Sequence, residues 1–159
     1  MCKRWIGLLA TMGLSVLVLA FVGGAQQATP QATAAAGKSG NKDTGQVLVN
    51  GTVVMTLYAF AGEASLLGRA EAVAWQLNAA FAQKAQAKDF LIAENADGWS
   101  LEAKKLTVVT ATQEDADALK TTPEKLVKFW RTSLTDRMAV VAKTPVPAKT
   151  PPRVDPVAK

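Results

Sequence analysis

QVLVNGTVVMTLYAF, residues 46–60, sets two β-prone runs on either side of Asn50-Gly51. That dipeptide tolerates positive φ at both central positions of a type I′ turn, so the spacing predicts a β-hairpin of residues 46–49 and 52–60. The second run is apolar on both faces, because Val53, Met55 and Leu57 alternate with Val54, Tyr58 and Phe60. Such a strand needs a helix on each side, or a helix on one side and a partner on the other.

Downstream of the hairpin, Leu66, Ala70, Val73, Leu77 and Phe81 recur at helical spacing. Ser65 is the expected N-cap, and Lys84 and Lys88 sit favourably near the C-terminus. Residues 90–94, 99–102 and 106–110 are three short β-prone runs. The connections at 95–98 and 103–105 are short enough for hairpins, which predicts an antiparallel sheet. Residues 113–119 read as a short helix. Thr122-Pro123-Glu124 then supplies an N-cap, an N1 proline and a first-turn acid for a long helix with apolar positions at Leu126, Phe129, Trp130, Leu134, Met138 and Val141. The expected fold is α+β with two layers in the order ββαβββα, an antiparallel sheet packed against two helices, and disordered flanks.

Lys3 and Arg4, the uncharged apolar run from Ile6 to Val22, and Gly23-Gly24-Ala25 have the three parts of a secretory signal, with cleavage expected after Ala25. The competing reading is a retained N-terminal anchor. Ten Leu, Ile, Val and Phe side chains in that run favour insertion by about −3 to −6 kcal/mol. Either reading places the domain outside the cytoplasm, periplasmic or secreted after cleavage, or held at the inner membrane. The organisation expected is a signal or anchor at 1–25, a flexible linker at 26–45, a domain at 46–142 and a Pro-rich basic tail at 143–159, disordered because five prolines deny it helix and ladder.

The 159 residues carry a net charge of +5, but the excess lies in the flanks. Between 46 and 142 there are ten basic and eleven acidic side chains. A nucleic-acid footprint is a basic face on the folded part, so nucleic acid is not an expected partner. The chain has no histidine, and Cys2 is its one thiol. The commonest general base, the commonest metal ligand and a structural disulfide are therefore all missing. Dinucleotide, phosphate-loop, serine-hydrolase and zinc-peptidase motifs are absent as well. No catalytic residue, cofactor or metal is expected. Glu114, Asp115 and Asp117 follow Thr112 as acids complementing a helix start, since the alternation and glycine of a calcium loop are missing. Glu63 and Glu71 leave a carboxylate-dependent hydrolase as the least favoured reading.

Of the four tryptophans, Trp5 belongs to the export segment, and Trp75, Trp99 and Trp130 are expected in the core or half-buried. Trp99, following Asp97-Gly98 at a hairpin, joins Tyr58 and Phe60 as the candidate interaction surface.

Val49-Asn50-Gly51, Gly62-Glu63-Ala64-Ser65 ahead of Arg69-Ala70-Glu71, Leu77-Asn78, Val109-Thr110 before Asp115-Ala116, and Thr122-Pro123-Glu124 leading to Leu126 and Trp130 occur in a telling order. In these landmarks the chain resembles a small extracytoplasmic domain that precedes the membrane part of some bacterial mechanosensitive-channel-like proteins, notably in cyanobacteria, here in its stand-alone form. The resemblance implies a periplasmic α+β module with sensing or interaction duties, and it carries over no catalytic residue. The expected function is a non-catalytic extracytoplasmic binding or protein-interaction module whose partner is an envelope or membrane protein. The alternative is a single-pass accessory subunit of an envelope complex.

Overall fold

Two hairpin-built halves of the same plan follow one another along the chain. The computed structural model describes residues 29–144. β1 (Ala32–Ser39), β2 (Lys42–Val49) and β3 (Thr52–Leu57) form an antiparallel sheet in that order, and α1 (Leu66–Ala82) follows. After a 3-10 turn at Ala87–Asp89, β4 (Phe90–Asn95), β5 (Gly98–Ala103) and β6 (Leu106–Ala111) form a second antiparallel sheet. α2 (Gln113–Ala118) and α3 (Pro123–Lys143) complete the described chain. The α+β class with antiparallel strands packed on helices is thus as the sequence leads one to expect.

Two expectations are corrected. Residues 32–39 and 42–45, read as linker, are strand: β1 pairs along its whole length with β2, from Ala32 opposite Val49 to Ser39 opposite Lys42. The signal-or-anchor segment and the tail from 145 lie outside the described residues. The strands also divide into two sheets of three instead of joining in one. β1, ATAAAGKS, has little intrinsic β-propensity, and tertiary contacts supply what propensity lacks. Asn78 of α1 clamps the strand, its Oδ1 accepting from the Ala32 amide at 2.8 Å and its Nδ2 donating to the Ala32 carbonyl at 2.8 Å. The small residues let α1 lie close; a Cβ on Gly45 would stand 2.1 Å from the Leu66 carbonyl oxygen.

The second hairpin of each sheet has one design. Asn50 and Gly51 both have positive φ, 47° and 76°, the type I′ pattern anticipated for them. Lys104 and Lys105 adopt the same pattern at 51° and 66°. Past the turn, Val49 faces Thr52 and Leu48 faces Val53; the register then shifts so that Val47 faces Met55 and Val54 is the extra residue of a bulge. In the other sheet Ala103 faces Leu106, Glu102 faces Thr107, and Leu101 faces Val109, leaving Val108 extra. Every matched position is 54 residues from its counterpart. The bulge turns consecutive residues inward, so Val54 and Met55 are both buried, as are Val108 and Val109.

The helices correspond at a different spacing, 57 residues. Ser65 and Thr122 are their N-caps, each hydroxyl accepting the amide three residues on. The buried positions Ala70, Val73, Leu77 and Phe81 of α1 match Val127, Trp130, Leu134 and Met138 of α3. α1 packs on β1 and β2 and reaches across to β6, while α3 packs on β4 and β5 and reaches across to β3. Each helix therefore runs beside the edge strand of the opposite half. One continuous core joins Val47, Met55 and Leu77 to Leu101, Val109, Trp130 and Leu134.

Candidate functional site

The two halves meet at a buried ion pair. Arg69, in the first turn of α1, grips Asp115 of α2 through both terminal nitrogens, Nη2 to Oδ2 at 2.7 Å and Nη1 to Oδ1 at 3.0 Å. The guanidinium also donates to the carbonyls of Ala59, just beyond β3, and Thr110, in β6. Asp115 in turn accepts from the amides of Tyr58 and Ala59 at 2.7 and 3.0 Å and from the Thr112 hydroxyl at 2.9 Å. Burial pushes this carboxyl up; hydrogen bonds from Arg69, the Tyr58 amide and Thr112, with the Arg69 charge, outweigh that and leave it below its ordinary value. Its polar groups are spent on protein partners, so the centre is architectural: it fixes where Tyr58 and α2 stand.

From that fixed point the chain builds a groove. α2 ends in a Schellman motif, with Lys120 at φ 52°, the Thr121 amide on the Ala116 carbonyl and the Lys120 amide on the Asp117 carbonyl. This brings Leu119 out beside the first turns of α3. Between the β3 edge and α3 lies a hollow of about 200 Å³, walled by residues 53–56 and Tyr58 on one side and by Leu119, Phe129, Trp130 and Ser133 on the other. A second hollow of about 300 Å³ shares the Leu119 and Phe129 walls and adds Thr121, Lys125 and Leu126. Phe129 is 64% exposed, and Val53 and Leu119 are each 43% exposed. Three large exposed apolar side chains thus stand around two adjoining hollows that share the Leu119 and Phe129 walls.

The internal correspondence supplies a reference for the first hollow. Its counterpart between β6 and α1 is a hollow of about 220 Å³ lined by residues 107–110 with Ala72, Val73 and Gln76. Val53 is there Thr107, Phe129 is Ala72 and Ser133 is Gln76. The same framework thus carries small or polar residues at the corresponding points of its other half. In the counterpart hollow the Gln76 side-chain oxygen is buried without a partner. Ala61, Glu63 and Arg69 complete its lining.

The residues singled out from sequence do not form one surface. Tyr58 lines the first hollow. Phe60 is exposed two residues further on. Trp99 lies on β5, partly buried against the core. Trp75, expected inside, is 67% exposed on α1. Phe129, expected in the core stripe of α3, lies beside it because the buried face runs Leu126, Val127, Trp130, Leu134. Glu63 lines the counterpart hollow, which contains none of Glu71, Glu114, Asp115 and Asp117, so a hydrolytic carboxylate pair finds no second member there. Among the described residues no three potential metal ligands come together, and no helix is long and apolar enough to cross a membrane. Sequence reasoning missed Val53, Leu119 and Phe129 as a set; comparing the two halves singles out Val53 and Phe129, and Leu119 is found by its exposure alone.

The profile of a domain of unknown function (DUF8459) matches residues 46–140. No curated protein and no solved structure matches the chain.

Proposed function

Since the chain belongs to the DUF8459 family, we propose on that premise that its folded domain is a non-catalytic extracytoplasmic module that binds a protein partner of the cell envelope. The observation that carries this reading is the exposed apolar set Val53, Leu119 and Phe129 around two adjoining hollows, where the other half has Thr107 and Ala72 in the places of Val53 and Phe129. Exposed apolar residues grouped in this way are the mark of an interaction site. The extracytoplasmic placement is supported by the basic start, apolar run and small-residue exit of residues 1–25. The likeness to the domain ahead of mechanosensitive-channel-like membrane regions points the same way.

The test is retention of envelope proteins on the purified chain and on its Phe129→Ser variant, with both shown folded by circular dichroism. A defined protein held by the parent and lost by the variant is the expected result; equal retention, or none by either, overturns the reading. An anchored accessory subunit is the second reading, resting on the apolar run from Ile6 to Val22. N-terminal sequencing of the protein from cells separates the two, because a start at Gln26 eliminates the anchor.

A further inference from the structure

Resting on the reading of the domain as an interaction module, the geometry points to a more definite ligand: an extended peptide segment of a partner protein, apolar at alternate positions and ending in carboxylates, added as a fourth strand along β3. β3 is an edge strand, hydrogen-bonded to β2 alone. Its sequence TVVMTL carries neither charge nor proline; of the devices that protect edges from further pairing it has the Val54 bulge and the flanking α3, and the hollow between β3 and α3 is where the edge at residues 53–56 stays open. Four consecutive β3 residues form one wall of that hollow and α3 the other, which is the arrangement in which strand addition places main-chain bonds on the edge and alternate side chains in the groove. The two adjoining hollows give such a peptide two apolar seats.

Charge fixes the ends of the peptide. Lys125 is the only residue charged at neutral pH among those lining the two hollows, and it makes no ion pair among the described residues. Lys128, one turn on, is held by Glu124, and exposed Lys120 adjoins Leu119. The Leu119 end of the two hollows is therefore set for a carboxylate. That choice also disfavours the chain's own basic residues 143–159 as occupant, since they carry four cations against Asp155.

The experiment titrates the purified chain with a fluorescein-labelled peptide, Thr-Val-Thr-Val-Thr-Leu-Asp-Asp, and follows anisotropy. Saturable binding is expected, weakened about tenfold or more when the two Asp are replaced by Lys, and weakened to a similar degree when alternate amides are N-methylated. Lys125→Glu should reverse the preference in favour of the Lys-ended peptide, a readout that a merely destabilised variant does not produce. Absence of binding, equal binding of the two peptides, or indifference to N-methylation overturns the proposal. So does a dimer seen by light scattering and abolished by Phe129→Ser, which makes a second copy the occupant, or tighter peptide binding after truncation at Thr144, which makes the tail the occupant. If an envelope protein is retained in a Phe129-dependent way that ignores Lys125→Glu, the interaction module stands and strand addition falls.

Discussion

Arg69 and Asp115, 46 residues apart in sequence, lie 2.7 Å apart in a site closed to solvent, and their shared hydrogen bonds join the exits of β3 and β6. The position equivalent to Arg69 in the second half is Leu126, a buried apolar residue. The charge is therefore an elaboration of a core position, and removing one partner strands the other without compensation. Arg69→Leu should cost about 3–5 kcal/mol of stability in urea unfolding. The double change Arg69→Leu with Asp115→Leu should recover a substantial part of that loss; an additive double mutant would contradict the coupling.

Asp115 also sets an acid limit on stability. Its folded carboxyl is held below the ordinary value of 3.8, so the unfolded chain binds protons more readily in that window and stability rises with pH there. The contribution is complete above the ordinary carboxylate range and is lost as pH falls through the lower folded value. Asp89 is likewise lowered, by the Gln86 amide and by Lys104. Urea midpoints measured from pH 2 to 6 should fall toward the acid end, with a shallower fall in Asp115→Asn. Equal slopes would remove Asp115 as the source.

Lys104 and Lys105 occupy the turn that Asn50-Gly51 fills in the other half, both with positive φ. Lys105→Gly removes a left-handed penalty of about 1–2 kcal/mol against an entropic cost of about 0.5–1 kcal/mol and should stabilise the fold slightly, while Lys105→Val should destabilise it. Thermal unfolding of the two variants checks the sign.

Asn50 does more than turn the chain. Its Oδ1 accepts from the Gln31 amide at 2.7 Å, its own amide donates to the Gln31 carbonyl, and its carbonyl accepts from Arg137 of α3. Asn50→Ala should cost about 1–2 kcal/mol, from a left-handed φ that alanine adopts at a penalty and from loss of the exposed hydrogen bond to Gln31. Hydrogen exchange should speed up first in β1, residues 32–39. Uniform acceleration across both sheets would show that Asn50 acts globally instead.

Gly45→Ala places a Cβ 2.1 Å from the Leu66 carbonyl oxygen, in backbone that cannot swing aside. The strain should lower stability by about 1–3 kcal/mol. In contrast, Phe129→Ser, at a position the fold fills with Ala72 in its other half, should stay within about 0.5 kcal/mol of the parent. Chemical denaturation of both variants gives the comparison.

Much of the fold was legible because it rests on local chemistry. Asn50-Gly51 names its own turn, Thr122-Pro123-Glu124 names a helix start, and Ser65 caps where the apolar period begins. β1 was hidden because alanines and glycines carry no strand preference and the Asn78 clamp comes from 46 residues away. The duplication was hidden too: its halves share burial and register more than residue identity, and the 54-residue spacing of the hairpins becomes 57 in the helices. Of the candidate surface, Tyr58 was identified from the two-sided apolar strand, whereas Phe129 was assigned to the core because periodicity cannot separate a buried stripe from the residue beside it.

By itself the sequence determined the turns, caps, helices and strands of residues 46–142, since each depends on φ preferences and side-chain bonds within a few positions. Only the tertiary structure decided that residues 32–39 pair as a strand and that the strands divide into two sheets. It alone set each helix beside the opposite edge strand and left Val53, Leu119 and Phe129 uncovered. Those outcomes depend on contacts between segments distant in the chain, where the competition for burial is settled by packing geometry and not by local preference.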